Sequence, residues 1–415
     1  MHPFPMTAGG NASPMPSAPQ EPQTHARRRL LVAAAVVAIL ALRKHDSITN
    51  PQFWAEDGGL FFTQAEHLRS WLLLTPYEGY LHLVPRLLAV LARNLPMIAA
   101  PALYAWAPLV LTGLAAWGIQ SPRVPLPGTA AAALAIALVP HTGEVYLTTC
   151  NLQWILAIGL FALAICRDPA NWRQGACDLL LLGVLGLTGP FIAAAFPLFA
   201  WRAWHRRTLW SAALFAFAIV VLAIQAPSML AYRPAPHHET FAVIHGVAVI
   251  SQRILVSVAA DHVSLGEAVC AFLGFAVPGC LAWILWRRRQ ALPGGLELMA
   301  AGMLTMAASL YKVRFDTWNF DDLYNGDRYM FLHKVLLVWV VAAVAATSAP
   351  AVRRVLASAA LAAFLISLPR FLIPGYPDLH WRRYAERIDK GERVVVPILP
   401  EGYTLTYPGG RPPNP

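Results

Sequence analysis

Apolar runs close to the length that crosses a bilayer recur along this 415-residue chain, and arginine clusters punctuate alternate gaps between them. A crossing helix needs ~20 mostly apolar residues, and only helices or closed barrels satisfy their backbone polar groups inside lipid. The pattern predicts an all-α polytopic membrane protein. Composition agrees, because 57% of residues are hydrophobic, 13% are charged and mean hydropathy is +0.50. A soluble domain carries about 25% charge. A formal charge of +10 would elsewhere suggest a nucleic-acid partner, but here the basic residues sit in alternate loops, which a membrane topology explains better.

Those clusters are Arg27-Arg28-Arg29, Arg123, Arg167 with Arg173, Arg202 with Arg206-Arg207, Arg287-Arg288-Arg289 and Arg353-Arg354. Taken as cytoplasmic loops under the positive-inside rule, they give spans near 28–46, 99–119, 128–142, 151–166, 177–188, 190–203, 208–226, 266–286, 295–311, 331–348 and 353–370. About 11 transmembrane helices follow, within a range of 10–13. The N-terminus then lies inside and the C-terminus outside. Of 22 acidic residues, only Glu21, Asp168, Asp178 and Glu297 fall near the inner face. Chemistry is to be sought outside.

Residues 1–26, rich in Pro, Ala and Ser, read as a disordered cytoplasmic tail. Residues 27–370 form the transmembrane domain, with a first outer loop at 47–98 and additional helices lying on the outer face. Residues 371–415 read as a short outer-face tail with a helix near Trp381-Arg382-Arg383-Tyr384 and strand-like Val394-Val395-Val396. The first apolar run, Leu30 to Leu42, is an uncleaved anchor that spans if Arg29, Arg43 and Lys44 snorkel to the interfaces. Thr188-Gly189-Pro190 breaks 177–203 into two spans or a re-entrant hairpin. Segment 241–260 is interrupted by His245, Gln252 and Arg253 and reads as an interfacial helix; as a span it would put Arg287-Arg288-Arg289 outside. The cysteines, Cys150, Cys166, Cys177, Cys270 and Cys280, lack metal-ligand spacing and read as packing residues. Asn11-Ala12-Ser13, a glycosylation sequon on a cytoplasmic tail, reads as chance.

Four outer segments carry residues suited to a site. Trp54-Ala55-Glu56-Asp57-Gly58 places two carboxylates among aromatic residues beside a span. Neighbouring helical residues point about 100° apart, so Glu56 and Asp57 are expected to do different jobs. In Tyr77 to Arg86, extended backbone would aim Tyr80 and His82 to one side, and a helix opened by Pro85 would put Arg86 where a phosphate binds; an aromatic interface belt explains the segment equally well. Pro140 to Trp154 holds His141, Glu144, Asn151 and Gln153 between apolar walls, a set that suits sugar hydroxyls or a cation, although helix capping accounts for part of it. Tyr311 to Phe331 mixes acids, aromatics and the cations Lys312, Arg314 and Arg328 with Tyr329, and an ordinary solvated loop is an even alternative.

Adjacent acids in the first outer loop, a further acid in the second and interfacial loop helices resemble the GT-C superfamily of membrane glycosyltransferases, and within it bacterial members. The matching stretches are Trp54 to Gly58, Gly79 to Arg86, Thr188-Gly189-Pro190, Arg328-Tyr329 and Trp381 through Pro397 to Gly402-Tyr403. The chain departs from larger relatives in lacking a sizeable C-terminal outer domain. The resemblance implies a sugar carried on polyprenyl phosphate and transferred to an envelope glycan, lipid or protein acceptor in one inverting step. Asp57, or else Glu56, would be the general base, with Asp57 preferred. Arg86, Arg328 and His82 would stabilise the departing phosphate, and Tyr80, His141, Glu144, Asn151, Arg314 and Tyr329 complete the expected binding set. Glu144 would position the acceptor or ligate a divalent cation; a metal held by Glu56, Asp57 or Glu144 is left open. Rival readings are a transporter or flippase of lipid-linked sugars and a glycan polymerase. No internal repeat supports the first, and 227–265 is only a modest counterpart of the Arg-rich loop expected of the second. Scarce Lys beside abundant Arg and Ala points to a bacterial inner membrane, with the site on the periplasmic face.

Overall fold

A computed structural model describes residues 23–67, 72–232, 243–312, 320 and 325–409. Its helices are α1 (Gln23–Arg43), α2 (Asp46–Thr49), α3 (Thr63–His67), α4 (Leu83–Ala92), α5 (Ala100–Ile119), α6 (Thr129–Leu138), α7 (Leu152–Ile165), α8 (Trp172–Gly186), α9 (Ile192–Arg206), α10 (Leu209–Ala231), α11 (Val243–Ser251), α12 (Ser257–Ala260), α13 (Glu267–Arg287), α14 (Gly295–Lys312), α15 (Arg328–Ala346), α16 (Pro350–Ser367) and α17 (Trp381–Asp389). Wide helical turns at Asp57–Phe62 and Gln252–Val256 lead into α3 and α12. An antiparallel hairpin, β1 (Val394–Ile398) and β2 (Tyr403–Tyr407), follows α17.

Among the described residues, six helical stretches are long and apolar enough to cross a membrane: Met97–Ile119, Leu209–Ala231, Val243–Ala260, Glu267–Arg287, Arg328–Ala346 and Pro350–Arg370. The chain is a helical polytopic membrane protein. Successive long helices run between two ends of one bundle, and polar bonds identify each end. At the first, Arg29 donates to Trp117 O, Arg123 binds Asp178 and Arg167 O, Arg202 and Arg206 bind Asp168, and Arg288 donates to Ser348. The basic clusters and their few acids thus gather together. The opposite end carries the first loop, the 139–151 loop, the 187–191 turn and the C-terminal segment.

Several boundaries differ from the sequence expectation. Residues 23–26 belong to α1 rather than to a disordered tail, because helix continues about two turns beyond the apolar run. The span expected at 128–142 is a helix only over Thr129–Leu138, since Pro140 cannot continue it and Gly143 turns the chain at φ +91°. Segment 243–260 is long and apolar enough to cross, which the interfacial reading discounted. Its polar side chains find partners within the protein: His245 meets Glu267 at 2.8 Å, Gln252 takes the Leu265 N–H, and Arg253 donates to Asn325 O. Those partners lie at the starts of α13 and α15, so the start and the middle of this segment sit at the same end of the bundle.

Helix length explains where a cavity forms. At 1.5 Å per residue the 10 residues of α6 and the 14 of α7 reach only ~15 and ~21 Å, against a core ~30 Å thick. Longer neighbours, the 20-residue α5 and the 19-residue α15, pack against both. The end of the bundle is therefore indented, and polar loops fill the hollow. Above it stands a separate apolar core, in which Phe53, Phe61 and Phe62 of the first loop pack with Trp381, Val396 and Leu405. The helix and strand expected in the C-terminal tail are present, and their hairpin makes the fold less than all-α. Leu399 N–H donates to Phe53 O at 3.0 Å and Ala55 N–H donates to Leu399 O, so the tail pins the acid-bearing turn.

Candidate functional site

The indentation holds a cavity of about 250 Å³ lined by Glu56, Tyr77, Glu78, Tyr80, His82, Cys150, Asn151, Gln153, Trp154, Lys312, Arg328 and Tyr329. Four sequence segments meet there. Glu56 ends the strained turn at Ala55 (φ 23°) and is half-buried, with Tyr77 Oη 3.5 Å from its Oε1. Tyr77 and Tyr80 pair across a tight turn whose central residues, Glu78 and Gly79, have φ 51° and 84°. Both rings therefore border the cavity.

Cations enter from two helix ends. Lys312, at the end of α14, donates to Glu78 O at 3.0 Å, pairs with the Glu78 carboxylate at 3.4 Å and lies 4.6 Å from the Tyr80 ring centroid. Arg328, at the start of α15, pairs with Glu144 and lies over the Tyr329 ring. Trp154 meets Tyr329 edge-on at 5.3 Å. The cavity thus combines carboxylate, cations and aromatic walls.

Two lining side chains have unmet hydrogen-bonding capacity. His82 is 2% exposed, and neither ring nitrogen completes a hydrogen bond, although the Tyr77 backbone acts on the ring. Burial, then the charges of Arg86 and Lys312, lowers its pKa to about 3, so the ring is neutral. Gln153 donates to Tyr80 Oη and Cys150 O, while its Oε1 accepts nothing. Buried polar atoms are normally paired, so a cavity with orphaned donors and acceptors on its wall suits a hydroxylated ligand.

Asp57 does not line the cavity. It is 1% exposed, its Oδ2 accepts Thr149 N–H at 2.8 Å, and its Oδ1 accepts Cys150 N–H at 2.7 Å. Burial pushes its carboxyl up to about 7 against the pull of those two amides. This acid clamps the loop that carries Asn151 and Gln153. The residue expected to meet substrate is interior, and its neighbour Glu56 borders the space, as two adjacent residues pointing apart must divide.

Other expected site residues separate in the same way. Tyr80, His82, Asn151, Arg328 and Tyr329 line the cavity, and Glu144 touches it through Arg328. Arg86 is fully buried, donates to Gln64 and to Thr75 O, and stacks over Phe61, so it holds the first loop instead of facing a ligand. His141 lies in a different cavity with Asp327 and Lys334. Arg314 falls outside the described residues. Among the described residues, no three His, Cys, Asp or Glu side chains cluster so as to hold a metal ion. Both Asp57 oxygens accept backbone amides and Glu144 Oε1 pairs with Arg328.

Gln153 and Lys312, offered by the third and fourth outer segments, line the cavity, and Trp154, Tyr77, Glu78 and Cys150 join them without having been expected as site residues. Polar residues at the ends of apolar runs were the signal for Lys312 and Gln153. No family model, no curated protein and no solved structure matches this chain.

Proposed function

We propose that this protein is an integral-membrane glycosyltransferase of GT-C type. It moves a sugar from a polyprenyl-phosphate donor to a glycan, lipid or protein acceptor at the outer face of a bacterial inner membrane. One observation carries the reading: Glu56, Lys312 and Arg328 share a single cavity whose walls are Tyr77, Tyr80, Trp154 and Tyr329. Sugar transfer from a lipid phosphate asks for this combination. A carboxylate accepts the acceptor's proton, cations compensate the leaving phosphate, and aromatic faces hold the sugar ring.

In this reading the acceptor oxygen attacks the anomeric carbon from the face opposite the phosphate, and its proton passes to Glu56. The bond between the anomeric carbon and the phosphate oxygen breaks, and the phosphate leaves with the electron pair beside Arg328 and Lys312. The anomeric configuration inverts in this single step. Glu56 takes the base role and Asp57 the positioning role, since Asp57 is walled off by backbone amides. Gln153 Oε1 and His82 bind sugar hydroxyls. In this reading α1, α5 to α10 and α13 to α16 carry eleven passes of the chain, those of α6 and α7 being completed by the polar loops at the indented end, with the arginine end inside and the cavity outside.

The test is transfer itself. Proteoliposomes containing the full chain receive polyprenyl-phosphate donors with labelled sugars, while envelope glycans of cells with and without the protein are compared by mass spectrometry. A missing sugar in the second experiment and labelled product in the first are expected. Unchanged glycans together with transbilayer movement of intact donor would replace the transferase by a transporter.

A further inference from the structure

A cleft of about 260 Å³ lies among the spanning helices, walled by Ile250 of α11, Val277 and Leu281 of α13, Met299 of α14, and Leu336 and Val340 of α15. Protein interiors hold few voids larger than a water molecule, so a space of this size asks what fills it. We propose that the cleft binds one acyl chain of a membrane phospholipid.

Two helix pairs enclose the space. α13 packs closely along α11, where Gly274 makes room for Val247: a Cβ built at Gly274 would meet Val247 Cγ1 at 2.5 Å. α14 packs along α15, with a Cβ at Gly302 standing 3.2 Å from Leu336 Cδ1. Between the pairs contact is sparse, because α13 touches α14 and α15 at few points. The pairs therefore splay, and the cleft between them includes Met303, which is 61% exposed on the surface of a spanning helix. That surface faces lipid.

The wall is chemically plain. Among the described residues lining it, His333 is the one ionisable side chain, and its ring nitrogens already lie against Tyr329 O and Gly302 O at 2.9 and 3.1 Å. The rest is mostly aliphatic side chains and methionines, whose unbranched thioethers adapt to the shape of an apolar guest. Water in such a place would lack the roughly two to four polar partners it needs. An apolar cavity of ~150 Å³ takes up benzene, so this volume holds about ten carbons by the same measure.

Shape and depth identify the guest as a chain. A helix is at least ~10 Å across, and one filling this volume would be only about 3 Å long, or two residues. The cleft instead runs about 10 Å along α15 from His333 to Val340 and about 12 Å along α14 from Leu298 to Met306. Its upper end lies about 8 Å along α15 from Arg328 and about 9 Å along α14 from Lys312, which is acyl-chain depth in a hydrocarbon core ~30 Å thick. The cavity that holds Glu56 is not the source of that chain. Val249, Ile254, Met306 and Met330 form a packed apolar cluster with Tyr329 against it, and this cluster separates Tyr329 of that cavity from the cleft. The bilayer itself supplies the guest through the Met303 side, so the site does not rest on the transfer reaction proposed above.

The experiment places the full-length protein in nanodiscs of phosphatidylcholine that carries a diazirine midway along one acyl chain, and maps the photo-adducts by peptide mass spectrometry. Adducts on Met303, Met306 and Leu337 are expected about fivefold or more above those on Phe272, a 69% exposed residue of α13 outside the cleft. Val277→Phe fills the space from α13 and should bring these sites down to the Phe272 level while leaving Phe272 unchanged. Should that variant fail to fold, Met303→Trp at the exposed side makes the same comparison, read at Met306 and Leu337. Equal labelling of cleft and surface in the unaltered protein, or enrichment that survives the variants, overturns the proposal. Loss of the enrichment on adding polyprenyl phosphate in small excess over protein also overturns it, since the cleft would then belong to the donor's chain.

Discussion

Replacing Glu56 by Gln separates the two acids of the first loop most directly. Glu56 is half-buried at the cavity wall, and among the described residues its one side-chain neighbour within hydrogen-bonding range is Tyr77 Oη at 3.5 Å. Gln has the same shape and keeps an acceptor for that hydroxyl, so the fold should lose no more than about 0.5 kcal/mol. It cannot take a proton. General-base catalysis is worth about 10²–10⁴ in rate, and at 1.36 kcal/mol per decade the barrier rises by roughly 2.7–5.4 kcal/mol. Because the base acts only in the transition state, single-turnover transfer in proteoliposomes should fall while donor KM stays put. Asp57→Asn should behave differently. Burial raises the Asp57 carboxyl to about 7, above the ~3.9 of an unfolded chain, so between these values the folded protein holds the proton more tightly. Its contribution to stability is full below about pH 4 and is lost as pH rises through 7, a span of about three units and on the order of 4 kcal/mol at most. From pH 5 to pH 8 the unaltered protein should therefore lose stability relative to Asp57→Asn, while Glu56→Gln tracks the unaltered protein. A Glu56→Gln protein that keeps more than a tenth of the transfer rate would refute the assignment. If Asp57→Asn alone abolished transfer without touching the pH response, the base would be Asp57.

Three further outcomes are open to measurement. Lys334→Met leaves Asp327 buried without its 2.8 Å partner, which should cost about 3–5 kcal/mol, and adding Asp327→Asn should restore most of it; additive effects in a double-mutant cycle would contradict the pairing. Gly189→Ala places a Cβ 2.4 Å from Gln153 Oε1 at a φ of +91°, so it should cost about 1–3 kcal/mol in thermal unfolding and raise the donor KM by displacing a cavity residue. Lys312→Gln removes a cation from the cavity and should raise KM for an anionic donor about 10- to 100-fold, with a weaker dependence on salt than the unaltered protein shows.

The membrane architecture was legible because apolar length and arginine placement are local signals. The segments of the site were legible too, since Glu56, Tyr80, His82, Asn151 and Arg328 sit in polar, aromatic stretches between apolar runs. Which way each side chain faces was not, because distant partners decide it. Asp57 turns inward on account of two amides more than 90 residues away, at Thr149 and Cys150. Arg86, expected at a helix start beside phosphate, is drawn to Gln64 and Thr75 O across its own loop. His141 is near Glu144 in sequence, yet Thr142 N–H binds Asp327 and draws His141 into the other cavity while Glu144 turns to Arg328. The C-terminal hairpin could be read as helix and strand, but its docking on Phe53 and Ala55 depends on contacts more than 340 residues apart.

The start of α15 is where these arrangements converge. Asp327 and Arg328 are joined by one peptide unit, yet the former is fixed by Lys334 and Thr142 at the cavity that holds His141 and the latter by Glu144 at the cavity that holds Glu56. The 141–154 loop repeats the pattern, with Thr142 at one cavity and Asn151 at the other, and Asp57 clamps it between them. A displacement of Asp327 cannot leave Arg328 in place, because both sit at the first turn of a helix packed against its neighbours.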